Sequence, residues 1–224
     1  MFKIDNREIG YGSKPFIIAE MSGNHNGSIA RALELVDAAA DAGADAVKLQ
    51  TYTADTLTLN INSDEFVISD KNSLWFGKSL YELYSEASTP WEWHSEIMDH
   101  ATKRGLICFS SPFDNSSVDF LESLGVSAYK IASAEIIDHG LITHVAETGK
   151  PIIISTGMAT LNEISEAVAV AHAAGNQNIA LLQCTASYPA SPKNSNILTI
   201  PNMQEIFNCE VGLSDHTMGV GAAV

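Results

Sequence analysis

Two lysines lie inside short apolar segments of this 224-residue sequence, where a charged side chain is uncommon. Lys48 occurs in DAVKLQ and Lys130 in AYKIAS. An ammonium group in such a segment costs on the order of several kcal/mol unless an anion meets it. Gln50 lies two residues after Lys48, so both side chains project to the same side of a strand. The spacing therefore predicts a binding site for an anionic ligand.

Polar side chains stand after each of the apolar segments, at the position where the parallel strands of a barrel open onto an active site. Four of them are the hydroxyl groups of Ser111, Ser133, Ser155 and Ser214. With the two lysines they predict a site for a phosphate and a carboxylate on one small molecule. Other polar residues at these ends include Glu20, Ser110, Glu135, Thr156, Gln183, Thr185, Tyr188, Asp215 and His216.

A structural explanation of the same residues stays open. Each lysine would then extend its ammonium group to solvent or pair with Glu20 or Glu135 in a structural network. A serine at such a position would cap a helix. The ligand hypothesis requires the ammonium groups of Lys48 and Lys130 to face one shared cavity, because they come from separate strands. We expect that they do.

His216 has the side-chain type that ligates a divalent metal or acts as a general base. A single histidine is a weak indication of a metal site, and the other candidate ligands are His25, Glu20 and Asp215. The remaining histidines lack ligand spacing and are predicted to lie at the surface: His94, His100, His139, His144 and His172.

The segments that carry these residues predict buried parallel strands. They are FIIAE, DAVKLQ, LICFSS, AYKIAS, PIIIST, IALLQC and CEVGLS. Apart from one longer interval, they recur every 20 to 30 residues or so, which is the rhythm of strand–helix units. The fold class predicted is α/β, a TIM (β/α)8 barrel truncated after about seven strands. An open doubly wound sheet is the alternative, but no GxGxxG turn comes after the first strand.

Helix signals lie between the predicted strands. Thr160 with Glu163, and Thr89 with Pro90 and Glu92, have the spacing of helix amino-terminal caps. Residues 51–88 form a long excursion after the second strand, and GVGAAV is expected to open a seventh helix. Glycines at the ends of helical patterns are expected to adopt positive φ: Gly43, Gly105, Gly125, Gly149 and Gly175.

The acidic composition argues against two classes of binding partner, nucleic acids and membranes. The formal net charge is −15 and the isoelectric point is near 4.6, so no basic face exists to release phosphate counterions. We expect no nucleic-acid partner and no membrane partner. No apolar run reaches the roughly 18 residues of a membrane span, and MFKIDNREIG does not resemble a secretion signal, so the cytoplasm is expected. Cys108 and Cys184 lie in apolar segments and are expected to be reduced and structural.

Seven motifs, in order, resemble the sialic acid synthase family. They are IIAEMSGNHNG, AVKLQTY, CFSSPFD, YKIASAE, IISTGMAT, LLQCTASYP and VGLSDHT, and they cover nearly the whole chain. Within the family, STPWEWH and SSPFDNSSVDFLESL are most similar to the branch that makes pseudaminic acid. The neuraminate branch often has asparagine where Ala186 stands, which disfavours that substrate.

The resemblance implies a metal-dependent condensation of phosphoenolpyruvate (PEP) with the aldehyde form of an acetamido sugar, with release of phosphate. Lys48 and Lys130 would hold PEP, assisted by Ser111, Ser133, Ser155 and Ser214. The groups around the sugar and the attacking water would be Glu20, Gln50, Glu135, Tyr188 and Asp215. His216 would be one of two histidines that bind Mn²⁺, with Mg²⁺ or Co²⁺ as alternatives.

The sequence departs from the family pattern after the seventh motif. The eighth strand, with the second metal histidine, and the carboxyl-terminal antifreeze-like (SAF) domain do not occur in residues 1–224. We expect residues 1–224 to be one incomplete barrel domain and to be inactive alone. The full-length protein is expected to be a homodimer.

Two other functions remain open. An aldolase would join pyruvate to a sugar through a Schiff base on Lys48 or Lys130, although Gln183 stands in the sixth strand, where that lysine usually lies. A barrel that binds a phosphorylated ligand without catalysis is the alternative from another class.

Overall fold

The computed structural model describes residues 1–71, 73 and 75–224. The described chain divides into two compact units. One comprises Ile17–Leu124, and the other comprises Met1–Phe16 together with Gly125–Val224. No helix within the described ranges is long and apolar enough to cross a membrane.

The amino-terminal segment of the second unit is an antiparallel hairpin of β1 (Phe2–Ile4) and β2 (Arg7–Ile9). The side chain of Ile4 is fully buried. The amino group of Met1 forms an ion pair with Glu210 at 3.0 Å, which ties the hairpin to the carboxyl-terminal part of the same unit.

The unit Ile17–Leu124 contains three parallel strands joined by helices. Its elements are β3 (Ile18–Glu20), α1 (Ile29–Asp41), β4 (Ala46–Thr51), α2 (Ala54–Leu57), α3 (Leu80–Ala87), α4 (His94–Lys103), β5 (Ile107–Pro112) and α5 (Asn115–Leu124). Strand β4 lies between β3 and β5. Helices α1 and α4 bury Val36, Ile97 and Ala101 against Val47 and Leu49. Burial of one large aliphatic side chain contributes about 2 kcal/mol, so this core fixes the helices on the strands.

Residues 125–224 form four further parallel strands in chain order. The elements are β6 (Tyr129–Ile131), α6 (His139–Glu147), β7 (Ile152–Ser155), α7 (Leu161–Ala173), β8 (Ile179–Cys184), α8 (Thr199–Phe207) and β9 (Glu210–Ser214). Each strand pairs with the next. Strands β6 and β7 are buried at every position, as expected for parallel strands with both faces covered.

Most local sequence signals are confirmed. All seven predicted strand segments overlap β3 to β9. Thr160 and Glu163 form a capping box at the start of α7, and the five predicted glycines have positive φ.

Two local predictions are wrong. Thr89 caps no helix, since its buried hydroxyl contacts the ring of His25, and Pro90 precedes a short 3₁₀ turn before α4. Residues 218–223 form bends and turns, and Gly219 has a φ of 85°. The Val224 amide donates to the Val220 carbonyl at 3.1 Å, but no regular helix begins in this segment.

Candidate active site

The first group of predicted residues surrounds Lys48, and we call Glu20, Lys48, Gln50 and Ser111 the Lys48 cluster. Lys48 is 9% exposed. Its Nζ donates to Ser111 Oγ at 3.1 Å and forms an ion pair with the Glu20 carboxylate. Gln50 Nε2 donates to Glu20 Oε1 at 3.3 Å. The cluster therefore joins one cation, one carboxylate and two neutral polar groups within this unit.

Strand register explains why these side chains meet. Glu20 is the register partner of Lys48, and Gln50 is the register partner of Ser111. Parallel register partners project to the same face of the sheet, so four residues from three strands share one side. The Glu20 side chain is 40% exposed, which leaves this end of the cluster accessible to a ligand.

The second group surrounds Lys130, and we call Lys130, Ser133, Glu135 and Ser155 the Lys130 cluster. Lys130 is 6% exposed. Its Nζ donates to Ser155 Oγ at 2.6 Å and to the carbonyl oxygen of Ile131 at 2.9 Å. The buried ammonium is thus held by a hydroxyl group and a backbone carbonyl.

The two lysines repeat one arrangement. Lys48 has Phe109 as its register partner on β5, and it bonds Ser111, two residues further along. Lys130 has Ile153 as its partner on β7, and it bonds Ser155, again two residues further along. In each unit the long side chain slants toward the carboxyl end of the next strand, where a barrel places its chemistry.

Glu135 lies in a 3₁₀ turn directly after β6. Burial raises the pKa of its carboxyl group above the ordinary value, and the nearby charge of Lys130 opposes that effect. Its Oε2 is buried and has no hydrogen-bond partner among the described residues. A buried carboxyl group with an uncommitted oxygen is suited to proton transfer.

Gly157 and Cys184 lie close to the hydroxyl group of Ser133. Its hydroxyl donates to Cys184 Sγ at 3.7 Å. A Cβ atom added at Gly157 would lie 2.9 Å from Ser133 Oγ and 3.3 Å from Cys184 Sγ. An alanine at position 157 would therefore force the Ser133 hydroxyl group to move. The sequence prediction gave Gly157 no role of its own, although it stands in the polar STG run after β7.

His216 presents one ring nitrogen for a ligand. Its Nδ1 lies 2.9 Å from the carbonyl oxygen of Thr185. A carbonyl only accepts, so Nδ1 carries a proton, and in the neutral ring Nε2 is the nitrogen with the free lone pair. Ser214 Oγ is 3.5 Å from Nε2, and the ring of Tyr188 packs on the imidazole with centroids 4.2 Å apart. A carbonyl partner on the far nitrogen is typical of metal-ligating histidines.

The predicted alternative metal ligands fit less well. His25 is fully buried, and its Nδ1 accepts from the Gly27 amide at 3.1 Å, so its other nitrogen donates to Thr89. Asp215 Oδ1 accepts from the Thr217 amide, and Glu20 pairs with Lys48. Within the described part of the chain, no group of three or more histidine, cysteine or acidic side chains is placed to hold a metal.

The surface prediction for the remaining histidines fails most clearly at His94. His94 is fully buried, together with Ile97 and Ala101 on the inner face of α4. The spacing 94, 97, 101 is that of the apolar face of a helix, and it could have indicated from the sequence that His94 is buried. His100 is 29% exposed and donates to Asp37 at 2.8 Å. The structural alternative for Lys48 is realised in part, because the predicted pair with Glu20 is present.

Comparison with known proteins identifies relatives. The profile of the NeuB family matches residues 35–224. The pseudaminic acid synthase of Campylobacter jejuni is 46% identical over 94% of this chain and 61% of its own length. The N,N'-diacetyllegionaminic acid synthase of Legionella pneumophila is 40% identical over 96% of this chain and 63% of its own length. The chain thus spans about three fifths of the length of these relatives.

A solved structure supports the fold class. The N-acetylneuraminic acid synthetase of Leptospira borgpetersenii superposes with a TM-score of 0.86 at 28% identity, over 98% of this chain and 71% of that chain. The barrel class predicted from the sequence is therefore confirmed, with seven sheet strands in the described residues.

Proposed function

This chain belongs to the NeuB family, and on that premise we propose that the protein condenses phosphoenolpyruvate with a diacetamido sugar aldehyde to form pseudaminic acid and phosphate. The observation that carries the proposal is the repeated lysine–serine pair at the carboxyl ends of β4–β5 and β6–β7. PEP has two anionic groups, and each buried ammonium group is suited to bind one of them.

We assign the lysines to the anionic ligand. Lys48 with Ser111 binds one anionic group of PEP, and Lys130 with Ser155 binds the other. Ser133 and Ser214 add hydroxyl donors. Since Lys48 is 9% exposed and Lys130 is 6% exposed, the interaction of each lysine with an anion is screened little by solvent. The lysines thereby orient the enol and stabilise the phosphate that leaves.

The proposed reaction joins two carbons and consumes one water molecule. The C3 carbon of PEP attacks the aldehyde carbon, and the water adds to the C2 carbon of PEP. One proton of this water ends on the former aldehyde oxygen, and the other leaves with the phosphate. The C2–O bond to phosphate then breaks, giving the keto acid and inorganic phosphate. We assign Glu135 to accept the proton of the attacking water, because burial raises the pKa of its carboxyl group above the ordinary value and makes it a stronger base. Glu20, Gln50, Tyr188 and Asp215 are assigned to bind the sugar.

A divalent metal, Mn²⁺ in the first instance, is assigned to His216. When bound, it would supply Lewis-acid polarisation of the sugar carbonyl. The chemistry of His216 fits, since Nε2 is oriented by the Thr185 carbonyl on the other nitrogen. The other metal ligands would be water, the substrate and further protein side chains.

Replacing His216 by alanine is expected to weaken Mn²⁺ binding by about tenfold or more, since even the loss of groups that only orient a metal ligand has effects of this size. Electron paramagnetic resonance of Mn²⁺ titrated into the complete protein measures this directly and needs no turnover. His172→Ala is the matched control, because His172 lies exposed on α7. Equal Mn²⁺ affinity in the His216→Ala protein would contradict the assignment.

Adding a methyl group at Gly157 is expected to displace Ser133 and to raise the KM for PEP about tenfold, the effect of disturbing one buried hydrogen-bonding group. The expected cause is the 2.9 Å approach to Ser133 Oγ. Gly140→Ala in α6 is the control, because a Cβ atom there would meet its nearest neighbour only at 3.4 Å. A Gly157→Ala protein with the KM of the wild type would show that Ser133 does not contact PEP.

The choice of sugar is tested by competition among three substrates. The complete gene product is assayed for phosphate release with the 2,4-diacetamido-trideoxyaltrose precursor of pseudaminic acid, the diacetamido precursor of legionaminic acid, and N-acetylmannosamine. Each is measured with and without a chelator. Preference for the altrose sugar supports the proposal, whereas preference for either of the others assigns legionaminate or N-acetylneuraminate synthesis.

Two further outcomes decide between classes of function. Binding of PEP without phosphate release from any of the sugars would favour a non-catalytic phospho-ligand-binding barrel. Labelling of Lys48 or Lys130 by pyruvate and borohydride would favour the Schiff-base aldolase. A homodimer of the complete protein, which the resemblance implies, is a prediction for analytical ultracentrifugation.

A further inference from the structure

Directly behind the Lys48 cluster lies a buried polar network that the proposed chemistry does not use. Thr51 Oγ1 lies 2.8 Å from His94 Nε2 and 2.6 Å from Ser110 Oγ. His94 Nδ1 lies 3.2 Å from the carbonyl oxygen of Pro90. His94 and Thr51 are fully buried, and Ser110 is 1% exposed. The network joins the ends of β4 and β5 to the start of α4.

One arrangement of protons satisfies all of these contacts. The Pro90 carbonyl only accepts, so His94 Nδ1 donates and Nε2 must accept. Thr51 therefore donates its hydroxyl proton to Nε2, and Ser110 donates to Thr51 Oγ1. Burial lowers the pKa of His94, which keeps the ring in the neutral form that this order requires. The ring of Phe120 packs edge-on at 5.3 Å and fixes the plane of the imidazole.

The network and the Lys48 cluster occupy opposite sides of the same two strands. Side chains alternate along a strand, so Lys48 and Gln50 project to one side and Thr51 to the other. On β5, Ser111 contacts Lys48 while Ser110 contacts Thr51. Ser110 and Ser111 are joined by one peptide unit, so a displacement of the backbone at one residue also displaces the other. Rotation of the strand end that breaks one set of contacts breaks the other.

The network lies where the pairing of β4 and β5 ends. The last register pair of β4 and β5 is Thr51 with Pro112. The hydroxyl bond between Thr51 and Ser110 supplies a cross-strand link at that end.

We propose that His94 is a positioning residue, which acts through Thr51 and Ser110 to hold Ser111 at bonding distance from Lys48. The inference rests on the proposed function, which supplies the ligand, PEP. It adds the residues that hold Lys48 and Ser111 in position to bind one anionic group of PEP. His94 itself touches no substrate.

The test separates loss of the hydroxyl group from loss of packing. Thr51→Val keeps the shape and removes the hydroxyl, whereas Thr51→Ser keeps the hydroxyl and removes a methyl group. We expect Thr51→Val to weaken PEP binding about tenfold in calorimetry, the effect of leaving a buried polar partner unsatisfied. Thr51→Ser is expected to bind PEP like the wild type although it is less stable. Ser117→Ala removes another fully buried hydroxyl in the same unit and is the matched control.

A crystal structure of the Thr51→Val protein gives a readout that needs no ligand. We expect Ser111 Oγ to lie beyond hydrogen-bonding distance of Lys48 Nζ, compared with 3.1 Å in the parent chain. Unchanged PEP affinity, or weakened affinity with Ser111 in its original place, would overturn the positioning role. If the wild type binds no PEP, the proposed function fails, and the position of Ser111 in the variant still decides this inference.

Discussion

Replacing Lys130 by methionine is expected to lower kcat/KM for PEP by about a thousandfold, the upper range for loss of one preorganised charged or polar donor. Methionine nearly matches the length of the lysine side chain, so the core around it is kept. The variant loses the cation that is 6% exposed and bonded to Ser155. The measurement is phosphate release by the complete protein under varied PEP and fixed sugar.

The control for this prediction is Lys3→Met, since Lys3 is 64% exposed on β1. It is expected to retain the wild-type rate. Thermal unfolding of the Lys130→Met protein shows whether the fold is kept. Replacing a buried charged group by an apolar side chain of similar size is often neutral for stability. Wild-type turnover in a folded Lys130→Met protein would show that turnover does not need the ammonium group of Lys130, and would refute the anion site as proposed.

Replacing Glu135 by glutamine is expected to lower kcat about a hundredfold with little change in the KM for PEP, the usual contribution of one general base. Glutamine keeps the size of the side chain and cannot accept the proton. The carboxyl group must be ionised to act as a base, so activity falls as the pH drops through its pKa.

Burial sets the direction of the pH effect. It raises the pKa of Glu135 above its ordinary value of 4.5, so the acid limb of the kcat profile should lie above that pH. The limb should be absent from the residual activity of Glu135→Gln. Glu147→Gln, at an exposed position in α6, serves as the control. An unchanged acid limb in the Glu135→Gln protein would assign the proton transfer to another group.

The position of each strand could be predicted because the signals are local. Apolar runs around Val47 and Ile153 bury both faces of a strand, and glycines such as Gly149 end the preceding helices with positive φ. These preferences depend on a few neighbouring residues. Local signals failed where a distant partner competed for the same group. Thr89 has the sequence of a helix cap, but its hydroxyl contacts His25 across 64 positions of the chain.

The pairing of functional groups could not be predicted. Four serines were candidates for the two lysines. The structure brings Ser111 to Lys48 and Ser155 to Lys130, while Ser133 lies against Cys184 and Ser214 near His216. Nothing in the local sequence distinguishes these serines, because each comes after an apolar strand.

The amino-acid sequence by itself determined which residues form strands, which polar groups stand at their carboxyl ends, and which family the motifs resemble. Tertiary structure decided the register between strands, and with it the partner of each lysine. It also decided that His94 is buried behind the Lys48 cluster. The physical reason is that strand and helix formation depend on neighbouring residues, whereas register and burial depend on packing between segments far apart in the chain.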